Sequence, residues 1–251
     1  MLKQWLKNWI SERHRVALRL WFYRSTSWWY IGNKRTCNLC NRRFSKFLPY
    51  GIEELRTEAC CPHCRSLERS RLLAFYLRRE VFPVLKSGRV LHFAPESSIS
   101  RLFREESSLN YLSVDINPEL AMQFADIHQL PFADNQFELI LNSHVLSVVP
   151  DDRKALSEMY RVLKPGGLLL LQEFVHDHQA TRELPSNASL EQRQQFFSRD
   201  DLFRDYGQDF MSRVEEAGFR AIRLNYAASL SPEIREMYRP DDGHGIFICR
   251  K

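Results

Sequence analysis

Four cysteines carry the plainest chemistry in this 251-residue chain. Cys37 and Cys40 lie in CNLC, Cys61 and Cys64 lie in CPHC, and residues 41–60 separate the pairs. Two residues between partners let both sulfurs face one ion, so two such pairs can converge four thiolates on a tetrahedral Zn²⁺. A disulfide reading needs an oxidising compartment, which nothing in the sequence supports, and isolated buried thiols leave the matched spacing unexplained. Zinc on Cys37, Cys40, Cys61 and Cys64 is therefore expected. Cys60 and His63 could each substitute for a ligand and read better as bystanders, while Cys249 reads as a small strand residue.

The remaining polar candidates stand where apolar runs end. Residues 89–94 (RVLHFA), 111–115 (YLSVD) and 137–142 (FELILN) read as strands, with a short strand near Phe124 and another over 168–174. Helices are expected over 66–84 (stopped at Pro83), 98–105, 153–163 and 209–217, a turn over 164–167, and closing strands over 219–226 and 246–250. Alternating strands and helices with apolar strand interiors predict a parallel α/β sheet covered on both faces. In such sheets ligands bind beyond the carboxyl ends of the strands, which brings forward His92, Phe93, Ala94, Pro95 and Glu96 after the first strand. No glycine follows Gly88 there, so this is not a Gly-rich dinucleotide loop. Asp115 stands about twenty residues beyond that turn, where a carboxylate can take both ribose hydroxyls, with a helix cap as its competing explanation. Asp126 could accept the amino group of adenine or simply close a turn. Asn142, Ser143 and His144 end the fourth strand nearest a reacting centre, where a satisfied core histidine is the alternative. Residues 176–199 are polar, weakly patterned and long enough to be a functional lid.

Composition narrows the classes further. With 44% hydrophobic and 27% charged residues the chain is neither disordered nor a bare disulfide scaffold, and no run of 18 apolar residues offers a membrane span. The net charge of +5 is uneven: residues 1–72 hold 15 Lys and Arg against 5 Asp and Glu, and the rest holds 21 against 26. That basic head also carries Trp5, Leu6, Trp9 and Ile10 at helical spacing opposite Lys3 and Lys7, followed by Trp21, Phe22, Trp28 and Trp29. Internal packing, peripheral contact with an anionic membrane through residues 1–30, and RNA binding all stay open for it. A cytoplasmic location, with or without such membrane contact, is the expectation, because the start lacks a secretory cleavage pattern.

YLSVDI, LPFADNQFELILNSHV and RVLKPGG together resemble the class I S-adenosylmethionine-dependent methyltransferases. Upstream, FLPYG, CPHC, SLERSR and VLHFAPE resemble a bacterial subfamily in which a four-cysteine knuckle precedes that domain. The likeness spans roughly residues 25–251. It implies a Rossmann-like, mostly parallel sheet of seven strands with helices on both faces over residues 67–251, a zinc-ribbon-like module over 31–66, and S-adenosylmethionine and Zn²⁺ as cofactors. By the same likeness, backbone around His92, Phe93, Ala94, Pro95 and Glu96 holds the methionyl end, Asp115 the ribose, and Asp126 and Ile127 the adenine, with Ile116 also among the cofactor-binding residues. Asn142 and His144 border the methyl group, His144 as candidate base. The chain departs from the family's pattern at Ser143, at Ser147 and Val148 (where Glu-His is usual), and at Ser70 (where His is). These departures imply a different acceptor or impaired turnover. An unidentified methyl acceptor, either a membrane-linked glycan or lipid precursor or a small molecule, is implied first. RNA is the alternative and a non-catalytic binding module the third reading.

Overall fold

The structure, a computed structural model, describes residues 11–51, 55–240, 243 and 245–251. The amphipathic face expected from Trp5, Leu6, Trp9 and Ile10 lies outside the described residues. Helix α1 (Glu12–Thr26) is capped by Ser11, whose hydroxyl accepts the His14 N–H, and runs into a 3-10 turn (Ser27–Tyr30). Two hairpins follow: β1 (Ile31–Cys37) pairs with β2 (Arg42–Phe44), and β3 (Leu48–Tyr50) with β4 (Arg56–Cys60). Helix α2 (Glu68–Tyr76) then widens into a π-helical stretch (Leu77–Val81), in which Phe82 N–H donates to the Leu77 carbonyl. The single regular helix expected over 66–84 is thus shorter and changes pitch before Pro83, whose ring cannot continue it.

The main domain continues through β5 (Gly88–Phe93), α3 (Ser97–Glu105), β6 (Leu109–Asp115), β7 (Gln123–Phe124), β8 (Phe137–Ser143), α4 (Asp152–Val162) and β9 (Leu163–Gln172). Next come β10 (Val175–His176), β11 (Arg182–Glu183), α5 (Leu190–Phe197), β12 (Arg204–Gly207), α6 (Phe210–Glu216), β13 (Arg220–Leu224), α7 (Pro232–Tyr238) and β14 (Ile246–Arg250). Among the described residues seven strands form one sheet in the order β13-β14-β9-β8-β5-β6-β7, parallel except for β14, which runs against both neighbours. This is the Rossmann-like sheet expected of class I methyltransferases. The turn expected over 164–167 is instead a bulge inside β9: pairing with β8 jumps from Leu163 to Leu168, and Gly166 takes the bend at φ +74°. The strand also stops at Gln172 rather than at Phe174. Helix α7 has no counterpart in the sequence reading.

Strand alternation builds two cores. Val90, Leu139, Leu141, Leu168 and Leu170 face one side, where α2, α3 and the cysteine hairpins pack; Leu91, Ile140, Leu169, Leu171 and Phe247 face the other, against α4 and α6. The first core is continuous with Cys37, Phe44, Phe47, Cys61 and Cys64. The cysteine module is therefore packed onto the sheet domain. Residues 176–199 are more ordered than their composition suggests, for β10, β12 and β11 make a small sheet with α5 beside it. No helix among the described residues is long and apolar enough to cross a membrane.

Candidate functional site

The four cysteines meet at the tips of two matching knuckles. Each CxxC is followed by a residue in the left-handed region, Asn41 (φ 55°) and Arg65 (φ 63°). Their N–H groups donate back to the carbonyls of Cys37 and Cys61, at 2.8 and 3.1 Å. This closes each knuckle so that its sulfurs point the same way. All four Sγ atoms lie within 4.8 Å of one another, with Cys37–Cys64 at 3.6 Å and Cys40–Cys61 at 3.7 Å. A tetrahedron with Zn–S bonds of about 2.3 Å has edges of about 3.8 Å, so the donor set fits zinc. Hydrogen bonds from Cys40, Cys61 and Cys64 hold Cys37 well below the ordinary thiol range, whereas burial pushes Cys61 up. Four clustered thiols cannot all ionise without a cation. The Ser66 hydroxyl supports two of the sulfurs at 3.3 and 3.2 Å. Cys60 and His63 turn elsewhere: the Cys60 thiol points to the carbonyls of Cys61 and Arg65, with burial pushing it up to about 11, and His63 meets the Ser27 hydroxyl.

Strand order reverses at β5, whose neighbours are β6 and β8, and this switch point is where an open α/β sheet binds its ligand. Ala94 and His144, just beyond β5 and β8, both adopt positive φ (45° and 56°). A non-glycine residue held there costs about 1–2 kcal/mol. Ala94 thereby makes the bend that a glycine would ordinarily make, its N–H held by the Val114 carbonyl at 2.9 Å. A crevice of about 320 Å³ opens beside this turn, lined by Glu96, Ser97, Ser98, Arg69, Leu67 and Tyr50, by Cys64 and Arg65 of the second knuckle, and by α1. Glu96 pairs with Arg69 at 3.1 Å and accepts from the Ser70 hydroxyl. Ser70, standing where His is usual, thus holds the turn.

Asp115 ends β6 and accepts the Asn117 N–H at 2.7 Å, and the next residue, Ile116, is 65% exposed. Asn117 in turn donates to Glu12 at 2.6 Å, so the start of α1 is tied to this loop. Asp126 forms a local turn, accepting from the N–H and ring nitrogen of His128, and the backbone bond in particular holds its carboxyl below the usual range. The side chains of Ile127 and Phe93 belong to the core. That of His92 is buried against Tyr111, whose hydroxyl lies 2.9 Å from Nδ1, and burial pushes it down to about 3. At these three positions only the backbone can face a ligand. Asn142 is fully buried, its amide 3.8 Å from Met159 Sδ and its Oδ1 without a partner.

His144 is brought to a residue the sequence reading passed over. Glu173, just past β9, is 1% exposed and lies 3.9 Å from His144 Nδ1; it accepts the Leu146 N–H at 2.8 Å, and burial pushes it up to about 7. The carbonyl of Ser147 accepts from Phe203 and Arg204, so the departure at 147 lies under the chain that enters β12. Arg204 also caps the carbonyls of Val149 and Pro150 at 2.7 and 2.9 Å. Arg161 of the RVLKPGG motif donates to Leu130, Phe132 and Asp134 and pairs with Glu158, which accepts the Leu130 N–H. That clamp gives the LPF turn its shape.

Residues 96–171 match the family model described as "Methyltransferase domain". The ubiquinone/menaquinone biosynthesis C-methyltransferase UbiE of Klebsiella pneumoniae strain 342 is 43% identical over 89 residues, 36% of this chain and 34% of its own length. A demethylmenaquinone methyltransferase of Renibacterium salmoninarum is 46% identical over 59 residues, covering 24% of this chain and 25% of its own. The chain thus spans about a third of the length of the first of these curated relatives. Among solved structures, an S-adenosylmethionine-dependent methyltransferase from Mesorhizobium loti aligns with 72% of this chain and 98% of its own (TM-score 0.49, 13% identity).

Proposed function

We propose that this chain, whose residues 96–171 match the methyltransferase domain model, transfers a methyl group from S-adenosylmethionine to a small or lipid-linked acceptor. The observation that carries the reading is the crevice at the strand switch point, bordered by the β5 turn and by residues 97 and 98 at the start of α3. Its size falls within the usual range for small-molecule pockets. Backbone from residue 92 to 96 and the Arg69 guanidinium would hold the methionyl end, Asp115 the ribose, and Ile116 and the backbone at Asp126 and Ile127 the adenine. Bound there, S-adenosylmethionine supplies a methyl group already activated as a sulfonium substituent. The protein's own work is then to orient the acceptor and keep water out. His144, 3.9 Å from Glu173, would take the acceptor's proton, a role for which imidazole is suited near neutral pH. The related quinone-pathway enzymes are named as C-methyltransferases, which makes an activated carbon the first acceptor to try.

Calorimetry with the wild type and Asp115→Ala tests this. Losing a charge-assisted contact to ribose is worth about 2–3 kcal/mol, so S-adenosylmethionine affinity should fall about 30- to 150-fold. Equal affinities would refute the assignment of Asp115. Failure of the wild type to bind at all would favour a non-catalytic module.

A further inference from the structure

Helix α1 has two opposite faces, and only one of them is used. Its inward positions Val16, Leu20 and Tyr23 line the crevice, and Ser27 one turn later is buried against His63. Tyr23 also lies under the Arg65 guanidinium at 4.1 Å. With Glu12 tied to Asn117, the helix is a strap running from the Asp115 loop to the second knuckle, and none of its own residues is buried. Helical spacing puts Leu18, Trp21 and Phe22 on the far side. Trp28 and Trp29 repeat that side two turns later, and Ile31 follows. All six are exposed, Trp21 at 67%, Trp29 at 66% and Ile31 at 69%.

Arg13, Arg15 and Arg24 flank this apolar face while Arg19 turns to the crevice, and residues 11–50 hold nine Lys and Arg against the single acid Glu12. We propose that α1 and the turn after it dock on an anionic lipid bilayer, with the tryptophans at the headgroup level and the arginines over the lipid charges. Indole, apolar along its body and polar at one edge, suits that depth, and arginine can keep its guanidinium in water while its stem covers apolar surface. Leu18 and Ile31 favour lipid over nucleic acid, because aliphatic side chains gain from leaving water but give no stacking platform for bases. Since the other face of α1 walls the crevice, docking presents that crevice to molecules carried in the bilayer. This last step rests on the methyltransferase reading, whereas the docking itself does not.

Cosedimentation of the full chain with phosphatidylcholine vesicles, with and without phosphatidylglycerol, tests the docking in the absence of S-adenosylmethionine. Binding is expected to require phosphatidylglycerol, to weaken as salt is raised, and to fall at least tenfold in a Trp21→Ser, Trp28→Ser, Trp29→Ser variant whose melting temperature is unchanged. These side chains lie outside the core, so the variant should fold. No binding to anionic vesicles, or equal binding by the variant, overturns the proposal. Retention of RNA without vesicle binding overturns it too, as does concentration-dependent self-association that the variant abolishes without vesicle binding. Calorimetry with S-adenosylmethionine alone reads the methyltransferase assignment separately, so the two ideas can fail independently.

Discussion

Replacing Glu173 by Gln should reshape the pH dependence of folding in a direction that the structure fixes. Burial raises this carboxyl from the ordinary 4.5 to about 7. The folded state therefore binds a proton that the unfolded state has released between those values. Stability from this group is full below pH 4.5, declines as pH rises, and is gone above about 7. At about 1.4 kcal/mol per tenfold change in proton affinity, the loss amounts to about 3 kcal/mol. His92 works in the opposite sense, since burial holds it down to about 3 from 6.5. Its contribution is full above 6.5 and is lost as pH falls toward 3, about 5 kcal/mol in all. The two slopes oppose each other between 4.5 and 6.5. Glutamine keeps an acceptor for the Leu146 N–H, so Glu173→Gln should match the wild type near pH 4 and exceed it by up to about 3 kcal/mol near pH 8. It should also unmask the acid-side decline caused by His92. Urea unfolding across that range measures both effects. Wild-type and variant curves that stay parallel would refute the claim that Glu173 carries a buried, displaced titration beside His144.

Metal analysis of protein made under reducing conditions should find zinc. Cys37→Ser should lose it and open residues 25–70 to protease, because structural zinc contributes on the order of 10 kcal/mol to such knuckles. Wild type without zinc would sink the four-thiolate site. Gly207→Ala drives a Cβ into the Gln179 carbonyl, so it should destabilise the β10-β12-β11 sheet by about 1–3 kcal/mol and speed cleavage within residues 176–199. A normal melting temperature and digest would show that the close approach there relaxes freely.

Local pattern and paired spacing reached most of this architecture. The alternating Leu168, Leu169, Leu170 and Leu171 declared a strand buried on both faces, and the matched spacing of the two CxxC pairs announced that their four sulfurs would converge. What stayed hidden depends on contacts between distant segments. Glu173 reads as one more acid after a strand; its importance comes from burial and from a histidine 29 positions earlier, neither of which leaves a periodicity. The missing glycine after β5 suggested a poor ligand turn, yet Ala94 adopts the left-handed bend because the Val114 carbonyl and the Glu96–Arg69 pair hold it from both sides. Asn142 shows the reverse case. Its place at a strand end suggested a contact with ligand, but its amide lies in the interior beside Met159.

The cysteine module is best understood as part of the crevice wall. Cys64 and Arg65, a member of the four-cysteine cluster and the left-handed residue that closes its knuckle, both line the crevice directly, and three residues on from Ser66 comes Arg69, which grips Glu96. Arg71, fully buried, reaches the carbonyls of Ser66, Tyr238 and Arg239 at 2.9, 2.6 and 2.8 Å, with its guanidinium 4.4 Å from the Phe47 ring. One side chain thus fastens the serine that supports the sulfurs to the end of α7. A charge so deeply placed is tolerated only when it is met by acceptors, and losing these carbonyls together would leave an uncompensated cation in the interior. The position of the knuckle is consequently tied to that of the sheet. Metal at the knuckle would fix the path of residues 61–69, that path sets where Arg69 and Glu96 meet, and their meeting shapes the turn after β5 that borders the crevice.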